Sequence, residues 1–353
     1  MAPRSTAPYV ETLPAASYSE DAVFEREQEL IFAKNWSVLA RTDQLVRPGD
    51  YVSGEIGRFP VFVLRDPDGG LRGFHNVCRH RAGSLVKAGT GRCNLAYGVR
   101  CRYHGWTYSV DGRLLEAPGF VTGAGFDPSA RGLVPIRIES WHDIVFGCLD
   151  DEAPDLMSWL GDIPKIAEEF PIAAPLRFYR EVVAEGDANW KAYGDNSAEG
   201  YHVPFVHTQL NQAVKACVLE PRENGKFVGF RIGYGPWGNH PASRGYWIYK
   251  FPCVLVHFSE YDFNVEQVYP LGPRRVRLVH WFWRPDDGAP QGWYDELAEG
   301  WRATMAEDMG VCAEVQRNLD AGIYRSGVLS LEREPGTIFF QSLVREAMAP
   351  AAS

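Results

Sequence analysis

Apolar and polar positions change period twice along this chain. Ser19 and Glu20 precede Asp21-Ala-Val-Phe-Glu-Arg-Glu-Gln-Glu-Leu-Ile-Phe, where two apolar clusters, Ala22 to Phe24 and Leu30 to Phe32, lie about two helical turns apart on either side of a polar stretch. That spacing behind a capping Ser predicts an amphipathic helix ending near Lys34. From Trp36 to Asp150 the period shortens to Tyr51-Val52, Val61-Phe-Val-Leu64, Ile136-Arg-Ile138 and Ile144-Val-Phe146. Asp66-Pro-Asp-Gly-Gly70 and Asp111-Gly112 punctuate these runs, so a small antiparallel β domain is expected. Residues 117–133 read as a long loop, and Pro154 to Phe170 as helical pieces. Strand-like runs return over 225–285, as in Val254-Leu-Val-His-Phe and Val276-Arg-Leu-Val-His-Trp-Phe-Trp, and 292–320 reads as one long helix. The class expected is α+β. Three parts follow: an N-terminal helical segment, 1–36, packed on the last part; a β domain, 37–150; and a sheet with packed helices, 151–353. No internal repeat or low-complexity segment is visible.

Composition narrows the function. At 353 residues the chain suits about two domains, and 45% hydrophobic with 23% charged residues is ordinary for a globular protein. Aromatic content of 13%, with 11 Trp, points to large apolar cores or a ligand pocket. A net charge of −9 without a Lys/Arg run argues against nucleic-acid binding. No apolar stretch approaches membrane-spanning length, and the first residues show no clear signal peptide. Seven Cys, an odd number, do not form a disulfide framework, and a reducing cytoplasm is the expected location. Cys93, Cys148, Cys217, Cys253 and Cys312 are expected as core or surface thiols.

The other two cysteines carry chemistry. Cys78-Arg79-His80 and Cys101-Arg102-Tyr103-His104 each join one thiol to one imidazole, with twenty residues between His80 and Cys101. Two Cys and two His form the ligand set of a Rieske [2Fe–2S] centre, whose potential lies above that of an all-Cys cluster. A structural zinc site uses the same ligand types. Zinc motifs usually pair like with like, whereas each motif here is mixed and sits in turn-rich sequence, which favours the cluster.

A second stretch, Asp195-Asn-Ser-Ala-Glu-Gly-Tyr-His-Val-Pro-Phe-Val-His207, follows a segment able to be helical from Trp190 to Tyr201. On such a helix Asp195, Ala198, Glu199 and His202 share one face. Pro204 ends it near His202, and the chain bends so that His207 can return beside His202. Taken alone, the two His could be structural. In the long helix, Leu297, Trp301, Met305, Cys312, Val315 and Leu319 form an apolar stripe with Asp308 near its centre. A carboxylate on a buried face needs a basic partner or a metal. Two His and one carboxylate make the facial triad of mononuclear non-haem Fe(II) oxygenases, with open positions for O2 and substrate.

With both sites in view, the chain resembles the α (terminal oxygenase) subunits of Rieske non-haem iron oxygenases, the ring-hydroxylating oxygenase family. The resemblance runs from about Phe24 to Phe340 and rests on CRHRAGS, CRYHGWTY and NWKAYGDNSAEGYHVPFVH. AEDMGVCAEVQ and RSGVLSLEREPG look most like the branch of choline monooxygenase, glycine-betaine and carnitine oxygenases. Neither cluster motif carries the extra Cys of mitochondrial-type Rieske proteins. The resemblance implies a β Rieske domain joined to a helix-grip catalytic domain. It implies cluster ligands Cys78, His80, Cys101 and His104, and iron ligands His202, His207 and Asp308. Electrons from NAD(P)H would come through a reductase, with or without a ferredoxin. They would cross between subunits of a homotrimer, because the two centres of one chain are far apart, and enter through Glu199. Glu at that place is commoner in the branch that oxidises N-methylated cations. Asn196 and Tyr201 are expected to flank the iron, and Tyr103 and Trp106 to shield the cluster.

Hydroxylation of a small organic molecule, by mono- or dioxygenation, is therefore expected. The substrate is either an aromatic ring or an N-methylated ammonium compound, and a β subunit is neither implied nor excluded. A Rieske electron carrier without oxygenase activity is the alternative, but it needs only the β domain. Trp237, Tyr246, Trp247, Tyr249, Phe251 and Tyr261 could line a pocket for a flat ring, cage a quaternary ammonium, or simply pack the sheet.

Overall fold

The structure, a computed structural model, describes residues 9–350 except 122, 124, 171–174, 237–242 and 287–290, and except the side chain of residue 291. The chain divides into two compact units, Phe32–Leu156 and Met1–Ile31 with Met157–Ser353.

The first unit is built mainly of β-strands, with short 3-10 turns between some of them. Seven antiparallel strands lie in the order Ser37–Arg41, Ile144–Cys148, Pro135–Trp141, Leu71–His75, Phe59–Arg65, Asp50–Ile56 and Gly89–Arg92. Val61, Val63, Phe62 and Leu64 are all buried, so the strand Phe59–Arg65 is covered on both faces and its run of apolar residues follows. A second, three-stranded sheet joins Val99–Arg100, Thr107–Tyr108 and Leu114–Glu116. A core of Phe62, Phe74, Leu85, Trp106 and Tyr108 also contains Cys78 and Cys101, which seats both thiols in apolar surroundings.

The second unit is a seven-stranded antiparallel sheet with helices. Six strands run as a meander in chain order, Val214–Arg222, Phe227–Tyr234, Ser243–Lys250, Val254–Ser259, Phe263–Gly272 and Arg275–Pro285. Leu176–Gly186 comes earlier in the chain and pairs with the last of them, at the sheet edge. Its burial alternates only weakly, with Arg180, Glu181 and Glu185 exposed, so apolar alternation does not mark it as a strand. Between that edge strand and the meander the chain forms the helices Trp190–Ser197, Val203–Val206 and Thr208–Ala213. The long helix Gln291–Asp320 follows the last strand and contacts Leu176–Gly186 and Trp190–Ser197. It lies so close at Gly186 that an added Cβ there would meet Met309 Sδ at 1.9 Å. A final helix, Pro335–Met348, was not expected from the sequence and packs Phe340 against Trp190 and Tyr249.

Local differences from the sequence reading have clear causes. The N-terminal helix Asp21–Glu27 widens into a π-helical turn, Gln28–Phe32. There the buried Glu27 turns to Lys191 and Trp190 of the helix Trp190–Ser197. That helix stops at Ser197 rather than near His202, just before the Glu199 carboxylate caps the next turn. Pro204 begins a new helical turn, where its missing N–H costs nothing. Val315 is exposed at the end of the expected stripe, and Gln316 is buried instead, accepting from Asn189 N at 2.9 Å. A straight helix at 3.6 residues per turn drifts away from a heptad stripe. No helix among the described residues is long and apolar enough to cross a membrane.

Candidate functional site: a cluster cradle and a metal triad

The two Cys/His motifs form loops of the same shape. Cys78 N donates to Gly83 O at 2.9 Å and Ala82 N to Cys78 O at 3.0 Å. In the second loop Cys101 N donates to Trp106 O at 2.8 Å and Gly105 N to Cys101 O at 3.0 Å. Both loops close at the same offsets from their Cys. Both place the residue four positions on in the left-handed region, Ala82 at φ 54° and Gly105 at φ 76°. Glycine adopts that conformation freely and Ala82 does so under strain. The loops differ only in where the imidazole sits, two residues after Cys78 and three after Cys101, and the two rings meet with centroids 4.7 Å apart.

The surroundings suit an iron–sulfur cluster. His80 Nδ1 is buried with no hydrogen-bond partner among the described residues, an arrangement that is costly unless a metal takes the lone pair. Trp106 stacks on His80 at 4.9 Å and 7°, and Phe120 meets the same ring edge-on. Tyr103 covers His104 at 3.8 Å but is itself exposed. Tyr108, which the sequence reading passed over, is fully buried with its hydroxyl 3.2 Å from Cys78 Sγ. That hydroxyl accepts from Arg79 N, so its own proton points to sulfur. Burial, then Cys78, pushes the phenol well above its ordinary range, so it stays a donor. A donor to a cluster thiolate stabilises the reduced, more negative state.

The second constellation lies in the second unit. His202 Nε2 is 3.1 Å from His207 Nε2, His207 Nε2 is 2.9 Å from Asp308 Oδ1, and His202 Nε2 is 3.4 Å from Asp308 Oδ1. Metal–ligand bonds of about 2.1 Å at right angles put neighbouring donors about 3.0 Å apart, so one ion fits over this triangle. Each imidazole is held from behind by its own carboxylate. Glu199 Oε1 lies 2.5 Å from His202 Nδ1, and Glu307 Oε2 lies 2.7 Å from His207 Nδ1. Nδ1–H donates in both rings, which turns both Nε2 atoms toward the triangle. Asn196 Nδ2 donates to Asp308 Oδ1 at 2.6 Å. Burial opposes charge on His202, but the Asp308 and Glu199 carboxylates outweigh it and raise its pKa to about 9. Burial likewise opposes ionisation of Asp308, and hydrogen bonds from His202, His207 and Asn196 bring it to about 2.

Glu199 does more than orient a ring. Its Oε2 accepts from His202 N at 3.1 Å and from Tyr201 N, capping the turn that carries His202. It acts from a turn and not, as expected, from a continuous helix. Tyr201 meets the site only through that backbone N–H. Its ring is 49% exposed and packs on Phe205, away from the triad. Glu307 was missed, although it stands beside Asp308 in AEDMG.

A cavity of about 280 Å³ opens over the triad. Its walls include Tyr193, Phe230, Tyr234, Trp247 and Trp301, with Glu266 on the sheet. No Lys or Arg is among the described lining residues. Of the aromatic residues singled out from the sequence, Trp247 lines this cavity, while Tyr261 lines a smaller neighbouring one. Tyr246 points to the other sheet face, where its hydroxyl donates to Glu220 at 2.8 Å. Tyr249 and Phe251 pack on Phe340, and Trp237 lies outside the described residues.

Both parts of the chain are similar to known proteins. Residues 35–129 match the Rieske [2Fe-2S] domain, and residues 174–242 and 234–350 match the catalytic domain of the ring hydroxylating alpha subunit. The chain is 30% identical to the chloroplastic choline monooxygenase of Spinacia oleracea over 356 residues, covering 96% of this chain and 78% of that one. It is 27% identical over 369 residues to the carnitine monooxygenase oxygenase subunit of Acinetobacter pittii (strain PHEA-2), covering 95% and 94%. A solved structure of a quaternary ammonium Rieske monooxygenase, described for carnitine oxidation and inter-subunit electron transfer, superposes with a TM-score of 0.84. It is 25% identical, with 97% of this chain and 96% of that chain covered. Members of the family serve as oxygenase components alongside electron-transfer partners. The chain belongs to the ring-hydroxylating α-subunit family and is the terminal oxygenase of a Rieske non-haem iron system, with a [2Fe–2S] domain and a mononuclear-iron catalytic domain.

Proposed function

We propose that this oxygenase hydroxylates an N-methylated ammonium compound at a carbon close to the positive nitrogen. The observation that carries this reading is the cavity over the triad, with aromatic walls, acidic side chains and no described Lys or Arg. Such a lining attracts a cation and offers no counter-charge to an anion. Relatives named for choline and carnitine oxidation support the same class. Ring hydroxylation is the second reading, favoured by the flat apolar faces of Trp247 and Phe230 in the same cavity.

In this reading Cys78, His80, Cys101 and His104 hold the cluster, and His202, His207 and Asp308 hold the iron. Bound there, the two centres supply single electrons and O2 activation. The overall change is C–H plus O2, two electrons and two protons to C–OH plus water. Glu199 and Glu307 fix the imidazole tautomers, and Asn196 fixes the Asp308 carboxylate. Glu199 also marks where electrons enter from the cluster domain of a neighbouring subunit in a homotrimer. A hollow lined by Glu199, His202, Val311, Val315 and Tyr324 leaves that edge of the site approachable. The electrons originate from NAD(P)H and reach the oxygenase through a reductase, with or without a ferredoxin. The free cysteines among the described residues suit a reducing cytoplasm.

The test is NADH-dependent O2 consumption with a surrogate reductase, over choline, carnitine, glycine betaine, benzoate and naphthalene, with products identified by mass. Oxygenated product from an ammonium compound is expected. Product from the aromatic compounds alone would replace this reading with the second.

A further inference from the structure

Glu266 stands where a carboxylate is expensive. It is 1% exposed, in the middle of a strand, and it lines the cavity over the triad. A buried carboxylate needs strong partners. Tyr193 OH donates to its Oε1 at 2.8 Å. Its Oε2 faces His280 Nδ1, the residue directly opposite on the next strand, at 3.3 Å. The His280 tautomer follows from its neighbours. Asn264 Nδ2 lies 2.7 Å from Asp262 Oδ2, which leaves Asn264 Oδ1 to accept from His280 Nε2 at 2.8 Å. Nε2 therefore carries a proton, and Nδ1 is shared between Glu266 at 3.3 Å and Met305 Sδ at 3.4 Å. A charge-assisted N–H···O bond is nearer 2.7–2.9 Å. Glu266 is thus bonded firmly on its Tyr193 side and loosely on its His280 side, and it belongs to the cavity lining.

The neighbours complete a receptor for a cation. Trp247 stacks on Trp301 at 5.0 Å and 13°, and both belong to the cavity lining with Tyr234. On the sheet, Trp247 pairs with His257 and Leu255 pairs with Glu266, so Trp247 and Glu266 face the same side one row apart. Tyr193 joins this floor to the metal site. Its hydroxyl binds Glu266, and its phenol is held well above the ordinary range by burial, then by Glu266 and Asp308. Glu266 and Tyr193 line the same cavity as His202, His207 and Asp308.

We infer that Glu266 is the specificity-determining residue that reads the positive charge of the substrate, with Trp247 and Trp301 packing against its methyl groups. This rests on the ammonium reading above. An aromatic cage alone binds any compact apolar head group to some degree, and the carboxylate is what separates a quaternary ammonium from its neutral carbon isostere.

The experiment uses full-length holoenzyme and two probes of matched shape, choline and 3,3-dimethylbutan-1-ol. Binding is read by calorimetry and tryptophan fluorescence for the wild type, Glu266→Gln and Glu266→Asp. Gln preserves the acceptor for Tyr193 and offers a donor to His280 Nδ1, so folding is retained and checked by melting and by the cluster absorbance. Wild type is expected to bind choline at least tenfold more tightly than the alcohol. Glu266→Gln should weaken choline at least tenfold and leave the alcohol within twofold, while Glu266→Asp keeps most of the preference. A tenfold preference that survives in Glu266→Gln overturns the inference and leaves the ammonium reading standing. Loss of both probes in both variants overturns it too, because Glu266 then only shapes the cavity. No preference in the wild type overturns the ammonium reading itself.

Discussion

The two metal-ready centres are built on opposite principles. In the cluster cradle the backbone does the work. Two loops close on themselves through the same pair of hydrogen bonds, and each delivers its Cys and His without reference to the other. Among the described residues His80 Nδ1 is left buried and unpartnered. In the triad the side chains satisfy one another, with His202, His207 and Asp308 in a triangle of mutual contacts, backed by Glu199, Glu307 and Asn196. The first site depends on its inorganic core for satisfaction, whereas the second is a hydrogen-bonded network in its own right. Loss of metal should therefore disturb the cradle more than the triad.

The largest expected effects separate the two centres. Asp308→Ala should reduce turnover by at least about a hundredfold through lost metal affinity, with the cluster absorbance and its reduced paramagnetic signal unchanged. Wild-type oxygenation in that variant would remove Asp308 from the triad. Cys101→Ser should do the reverse, losing the visible colour and the labile sulfide while the second unit keeps its iron. Stoichiometric zinc without sulfide in the wild type would refute the cluster.

Glu199→Gln comes next. It keeps the shape but weakens the hold on His202 Nδ1, and turnover should fall roughly 10–100-fold with both metals present. Single turnover of the pre-reduced protein is the sharper measurement. Cluster reoxidation at the wild-type rate would show that electrons take another route.

Tyr108→Phe sharpens the comparison within the cradle. Removing the donor to Cys78 Sγ should lower the cluster potential by tens of millivolts, since about 59 mV corresponds to a tenfold change for one electron. A redox titration in which the potential stays put would mean that this hydrogen bond is not made to the thiolate.

A pH-dependent effect concerns the helix that carries Asn196. Asp195 is half-buried there, and loss of solvation raises its pKa to about 6 despite hydrogen bonds from Tyr18 and Gln341. The folded state thus holds its proton to higher pH than the unfolded chain. Its contribution to stability is complete below the unfolded pKa and is lost as pH rises through about 6, on the order of 3 kcal/mol in all. The melting temperature of the wild type relative to Asp195→Asn should fall between about pH 4 and pH 6 and level off above. A flat difference would mean that Asp195 ionises normally in the fold.

Much of this was legible because it was local. Cys78 and His80, Cys101 and His104, and His202 and His207 lie two to five residues apart, so covalent geometry alone nearly brings each pair together. Asp308 stood out because helical period places it on a buried stripe where a carboxylate needs a reason. Glu307 escaped because it lies off that stripe, and only the approach of His207, a hundred residues earlier, gives it a role. Glu266 escaped for a related reason. Strand alternation assigns a residue to one of two faces but does not say which face becomes the floor of a cavity. That depended on the order of seven strands and on the helix laid across them, contacts between positions tens of residues apart. The sequence by itself determined which donor atoms exist and which of them travel in pairs, because bond lengths and helical pitch act over a few residues. The tertiary structure alone decided which carboxylate backs each imidazole and which faces the cavity, because those partners meet only after long loops have closed.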